Sequence, residues 1–60
     1  MKKFDVFAVG FNADQFREIY KNYISAEYED DFENVIFTLN APTGIYDEIA
    51  ELTEEFIEIL

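Results

Sequence analysis

Hydrophobic and polar positions alternate with different periods along this chain of 60 residues. Phe4–Gly10 is a short, nearly continuous apolar run, which predicts a strand covered on both faces and ended by its glycine. Apolar residues then recur at i, i+3, i+4, i+7 and i+8, which predicts a helix with one apolar face. That face is formed by Phe16, Ile19, Tyr20, Tyr23 and Ile24.

The start of this helix has the sequence of a capping box. Asn12 is the predicted N-cap, and Gln15 follows three residues later as its reciprocal partner. Phe11 is placed to pack against Phe16 as a hydrophobic staple.

A β-hairpin is predicted in the middle of the chain. Ser25–Glu29 alternates apolar and acidic residues with a period of two, which is typical of a half-exposed edge strand protected by its charges. Asn34–Leu39 is rich in β-branched and aromatic residues, so we expect it to pair antiparallel with Ser25–Glu29. The turn between the two strands falls at Asp30 and Asp31.

The rest of the chain is predicted to be a connector and a second helix. Asn40–Gly44 forms the connector, with Pro42 or Thr43 near the start of the helix. From Ile45 onward the apolar residues step by four and three to the end of the chain: Ile45, Ile49, Leu52, Phe56 and Ile59.

The order β-α-β-β-α predicts a single small α+β domain over residues 1–60, with two helices on one face of a three-stranded sheet. The other face of the sheet would then be exposed, although the first strand is apolar on both sides. Two interpretations stay open: a dimer or partner surface covers that face, or the N-terminus or a loop does.

Charge narrows the choice of partner. The formal net charge is −10, and residues 22–60 contain no lysine, arginine or histidine. Proteins use a large field of one sign to attract an oppositely charged partner, so we expect a basic protein. Phosphates and anionic lipids would both be repelled, so neither direct nucleic-acid binding nor membrane association is expected. A signal peptide is not expected, because Asp5 interrupts the N-terminal apolar run. The protein is therefore predicted to be cytoplasmic.

The candidate partner-binding residues form two groups. The hairpin group is Glu27, Glu29, Asp30, Asp31, Phe32 and Glu33, and the helix group is Asp47, Glu48, Glu51, Glu54, Glu55 and Glu58. On one helix the second group would span about 16 Å, or one charge per about 3 Å, close to the roughly 3.4 Å step of phosphates along one DNA strand. Phe32 is expected to fold into the core beneath the turn, with an exposed interface anchor as the alternative.

Catalysis and cofactors are not expected. The chain has no histidine or cysteine and Ser25 is its one serine, so the usual nucleophile and base arrangements cannot be assembled. Residues 27–33 lack the spacing and the glycine of an EF-hand, which leaves calcium binding as a weaker alternative.

These observations predict a small non-enzymatic inhibitor that imitates nucleic acid and occupies the basic groove of a nucleic-acid-binding protein. In size and charge the chain is similar, in general character only, to phage-encoded inhibitors of host defence such as anti-CRISPR and anti-restriction proteins. The alternative is a homo-oligomeric structural or adapter module whose acidity serves solubility.

Overall fold

The computed structural model describes residues 1–30, 32–52 and 57–60, and in them the chain forms four strands and two helices. In chain order these are β1 (Lys2–Val9), α1 (Phe11–Tyr20), β2 (Ile24–Glu29), β3 (Asn34–Ala41), α2 (Thr43–Glu51) and β4 (Ile57–Ile59). The α+β class is confirmed, and the predicted three-stranded sheet is corrected to four strands. No helix in the described ranges is long and apolar enough to cross a membrane.

The sheet has the strand order β2-β3-β1-β4, and every neighbouring pair is antiparallel. This is the topology of the split β-α-β, or ferredoxin-like, fold. The predicted hairpin is confirmed, since β2 pairs with β3, and β2 lies at the edge of the sheet as expected. A register shift between Ile24 and Ala26 interrupts that pairing.

Both helices pack on one face of the sheet, as the sequence predicts. Alternate residues of β1 and β3 are buried on this face, among them Val6 and Phe37. The Phe16 ring of α1 lies 5.1 Å from the Phe37 ring, and the Tyr46 ring of α2 meets Phe4 edge-on at 4.9 Å. One apolar layer between sheet and helices therefore forms the core.

The second helix ends at Glu51, so the prediction that it continues to the C-terminus is wrong. Ile57 and Ile59 pair with β1 instead, opposite Ala8 and Val6. The reason is an ambiguity in the pattern, because Ile57-Glu58-Ile59 fits the period of a strand as well as that of a helix. A longer helix would also have placed Glu51/Glu55 and Glu54/Glu58 as like-charge pairs near its negative end.

The predicted capping box of α1 is wrong. Gly10 is the N-cap, α1 begins at Phe11, and no side chain caps the helix. Gly10 has φ +50° and ψ −119°, which turns the chain from β1 into the helix within one residue, ahead of Asn12. The helix also ends at Tyr20, earlier than predicted, and Ile19 is 65% exposed.

We expect Gly10→Ala to destabilise the domain by about 1–3 kcal/mol, because an L side chain rarely adopts this backbone conformation. No atom lies within 4 Å of the added Cβ, so the cost comes from the backbone alone. Gly44→Ala is the matched control: Gly44 lies in α2 with equal space, and alanine should stabilise there by about 0.5–1 kcal/mol. Urea unfolding of both variants measures the two changes in the free energy of unfolding, which should have opposite signs.

The face of the sheet opposite the helices is called the open face. It carries the other alternate residues of the strands, which are Lys3, Asp5, Phe7, Val9, Ala26, Tyr28, Asn34, Ile36, Thr38, Asn40 and Glu58. Phe7 and Val9 are half-buried, so the prediction that β1 is covered on both faces is wrong.

Candidate functional site

The hairpin turn and the start of α1 meet at one end of the sheet. The Gly10 N–H donates to the Glu33 carbonyl oxygen at 3.1 Å, which fixes the two segments side by side. We call this region the turn end. It comprises Gly10, Phe11, Asp14, Arg17, Glu27, Glu29, Asp30, Phe32 and Glu33.

Asp30 organises the turn through its carboxylate. One oxygen accepts the backbone N–H groups of Phe32 at 2.8 Å and Asn34 at 3.0 Å, and the other accepts the Asn34 side-chain amide at 3.2 Å. Glu33 has φ +64°, in the left-handed region, and completes the reversal of the chain. The predicted turn at Asp30 is therefore held by a side chain as well as by the backbone.

The hydrogen bonds from Phe32 and then Asn34 lower the pKa of Asp30 below its ordinary value of 3.8. Asp30 therefore releases its proton more readily in the folded than in the unfolded chain, and it stabilises the fold above pH 3.8. That contribution is lost as the pH falls through the folded pKa.

We accordingly expect Asp30→Asn to lower the melting temperature by a few degrees at neutral pH. The gap between wild type and variant should close in acid, as the wild-type carboxyl takes up its proton. Thermal unfolding of both proteins from neutral to strongly acidic pH measures the difference between their melting temperatures. The other carboxylates are the same in both proteins, so their effect cancels in this difference. A gap that stays constant with pH would contradict the role given to the Asp30 charge.

Phe32 is 81% exposed at the tip of the turn. The expectation that it folds into the core is wrong, because the hydrogen bonds to Asp30 hold residues 32–34 tightly and leave the ring outside. Phe11, the predicted staple residue, is 73% exposed at the same end. Two large apolar side chains thus face solvent among acidic neighbours.

Arg17 is surrounded by carboxylates. Its guanidinium donates to both Glu27 oxygens at 3.0 and 3.2 Å from Nε, and its Nη1 lies 2.9 Å from Asp14 Oδ1. The bonds to Glu27, followed by those to Asp14, raise the pKa of Arg17, so it stays charged. The contact with Glu27 ties α1 to the edge strand β2, whereas the contact with Asp14 lies within α1.

An open cavity of about 390 Å³ lies beside this network, lined by Phe11, Asp14, Arg17, Glu29 and Glu33 among others. Glu29 and Glu33 form no salt bridge within the described residues, so their charges are not neutralised there. The turn end as a whole contains five carboxylates and one guanidinium. Its electrostatic field is therefore strongly negative.

The carboxylates of α2 do not form the line of charges that the sequence predicts. Asp47 and Glu51 are exposed one turn apart, and Glu48 accepts the Tyr20 hydroxyl at 2.9 Å. Burial, followed by this hydrogen bond, raises the pKa of Tyr20 to about 12. Glu58 lies on β4 and faces the open face, away from α2. Asp31, Glu54 and Glu55 fall outside the described residues.

Sequence reasoning missed Phe11 and Asp14 as members of the site. The sequence predicts Phe11 as a staple residue, and it assigns Asp14 no role in the site. The signal for Asp14 is its spacing of three residues from Arg17, which places an acid and a base on the same side of α1.

Comparison of the chain with protein-family models, with curated proteins and with solved structures finds no match in any of the three. Within the ranges that the structure describes, no three acidic side chains are grouped to hold a metal ion. The site is therefore interpreted from its own charges, exposed side chains and shape.

Proposed function

We propose that this protein is a non-enzymatic inhibitor that covers the basic nucleic-acid-binding surface of a partner protein and so keeps nucleic acid away from it. The observation that carries the proposal is the turn end, where five carboxylates and one guanidinium lie beside two exposed phenylalanines. A concentrated field of one sign raises the rate of encounter with an oppositely charged surface.

The exposed rings of Phe32 and Phe11 supply the second part of the interaction. Long-range charge speeds association, whereas desolvated aromatic anchors chiefly slow dissociation. The partner surface that fits this arrangement is basic and contains an apolar pocket for a phenyl ring. A basic surface alone would form a complex that salt readily dissolves.

The edge strand adds a spacing that suits the imitation of nucleic acid. Glu27 and Glu29 are two residues apart on the helix side of β2, which sets their attachment points about 6.8 Å from each other. That distance is about twice the axial step of phosphates along one DNA strand. Glu29 carries its full charge at this spacing, whereas Arg17 holds both Glu27 oxygens, so a cation of the partner must compete with Arg17 at that position.

The proposed mechanism is competition for one surface, without any chemical step. It implies a cytoplasmic location, where basic nucleic-acid-binding proteins are found, and it suits a phage-like anti-defence inhibitor. It requires neither a cofactor nor direct contact between this chain and nucleic acid.

Affinity capture tests the proposal. The immobilised protein is incubated with a nuclease-treated bacterial lysate at low salt, and the bound proteins are eluted with a salt gradient. We expect to recover one predominant nucleic-acid-binding protein. A competing oligonucleotide should also displace it from the immobilised protein. A diffuse set of basic proteins, all released at physiological salt and none displaced specifically, would contradict it.

A second candidate function, a homo-oligomeric structural or adapter module, is favoured by the open face with its exposed Tyr28. The two functions differ in their response to charge. Reversal of carboxylates at the turn end should abolish inhibition and leave self-assembly largely intact.

A further inference from the structure

Arg17 already occupies part of the acidic surface that the proposed function assigns to a basic partner. Its Nη2 lies 3.0 Å from Glu27 Oε1, and its Nη1 lies 2.9 Å from Asp14 Oδ1. All three side chains are at least 37% exposed, so the contacts lie where a cation from outside can reach them. The chain's own guanidinium therefore holds two of the five carboxylates of the turn end.

Other contacts hold these carboxylates in place. Glu27 is positioned by the register of β2 against β3, and Asp14 by helix α1. The turn is fixed by the hydrogen bond between Gly10 and Glu33 and by the Asp30 carboxylate. None of these contacts involves the guanidinium, so its removal would leave the acidic surface in place and two carboxylates free to bind another cation.

We propose that Arg17 is an internal competitor, which occupies Glu27 and Asp14 and so lowers the affinity of the turn end for the cations of its partner. This inference rests on the proposed function, because it concerns the same surface. Exposed ion pairs are favoured over the separated charges by only about 2- to 5-fold each, so a partner can displace the guanidinium. Glu29 and Glu33 form no salt bridge within the described residues, so the first encounter can begin at them.

An internal competitor has a recognisable effect on binding. It must move away before an external cation can bind, and it therefore lowers the affinity for every cation by the same factor. A residue that shaped the surface for one kind of cation would act differently. It would discriminate between the planar guanidinium of arginine and the ammonium group of lysine, which differ in hydrogen-bonding geometry. Binding of arginine and lysine peptides thus separates the two roles.

Calorimetric titration with hexa-arginine and with hexa-lysine at low salt tests the proposal. Arg17→Gln should bind each peptide about 2- to 10-fold more tightly than wild type, and by the same factor for both. Lys21→Gln is the matched control, because both substitutions change the formal net charge from −10 to −11. Lys21 pairs with Glu18 at 3.5 Å, outside the turn end, so its substitution should give a smaller gain.

Arg17→Lys keeps the test valid if Arg17→Gln unfolds. The Arg17 Cζ lies 5.5 Å from the centre of the Phe37 ring, so the change to glutamine also removes a contact with the core. Lysine keeps the charge but loses the planar fork, and the affinity of Arg17→Lys for both peptides should lie between those of wild type and Arg17→Gln. Circular dichroism confirms that each variant is folded.

Three results would overturn the proposal: weaker binding by Arg17→Gln, a change that differs between the two peptides, or equal gains in Arg17→Gln and Lys21→Gln. The absence of peptide binding by every variant would overturn it as well. The peptides take the place of the partner in this test. Failure of the capture experiment, which would count against the proposed function, is therefore distinguishable from failure of this inference.

Discussion

Replacing both Glu29 and Glu33 by lysine is expected to slow association with the basic partner by about 10- to 1,000-fold at low salt. The two carboxylates line the cavity of the turn end and have no salt-bridge partner within the described residues. The substitution thus reverses two charges within the acidic cluster of the turn end. Stopped-flow or biosensor kinetics with the captured partner measure the rate, and the effect should shrink as salt is added.

The matched control is the pair Asp47→Lys and Glu51→Lys on α2. Both residues are exposed, and the pair changes the net charge of the chain by the same amount. We expect a smaller loss in association rate than at the turn end. Equal losses would mean that only overall charge matters, and no loss from either pair would contradict the acidic docking surface.

The largest expected effect on stability comes from Phe37→Ala. Phe37 is 0% exposed at the centre of the sheet, and its ring contacts that of Phe16. Truncating a buried phenylalanine costs about 3–5 kcal/mol. A domain of this length has a free energy of unfolding of about 3–9 kcal/mol, so the variant should lose a large part of it and unfold at a much lower urea concentration than wild type. Circular dichroism and urea unfolding read this directly.

Phe32→Ala is the matched control, because it removes the same ring from an 81% exposed site. We expect its free energy of unfolding to change by less than about 0.5 kcal/mol. Its complex with the partner should nevertheless dissociate faster if the ring is an interface anchor. A destabilisation comparable to that of Phe37→Ala would mean that Phe32 belongs to the core after all.

The hairpin was predictable because its two strands differ clearly in pattern. β2 alternates acidic and apolar residues, as an edge strand does, and β3 is filled with β-branched and aromatic residues, as a central strand is. The start of α2 near Pro42 was also predicted correctly, since a proline that fixes φ commonly precedes or opens a helix. The predicted connector, residues 40–44, is too long, because β3 extends to Ala41 and α2 begins at Thr43.

β4 and the start of α1 could not be read from local patterns. Ile57 and Ile59 satisfy the helical and the strand period equally, and only the free edge of β1 decides between them. Gly10 turns the chain through a positive φ, which capping preferences for polar side chains do not reveal. In both places a tertiary or backbone requirement overrides the sequence signal.

The sequence also located the acidic residues without showing which of them meet. The helix group is dispersed, because Glu48 is held by Tyr20 and Glu58 lies on the open face. The hairpin group is joined by Asp14 and Phe11 because Arg17 of α1 pairs with Glu27 and because Gly10 hydrogen bonds with Glu33. The second contact spans more than twenty residues and has no local signature.

A competition titration tests the central claim most directly. Labelled oligonucleotide is bound to the captured partner at several fixed concentrations of this protein. If both ligands occupy one surface, the apparent dissociation constant of the oligonucleotide rises in proportion to the concentration of the acidic protein and reaches no plateau. A constant that levels off, with a ternary complex of partner, oligonucleotide and acidic protein, would contradict nucleic-acid mimicry.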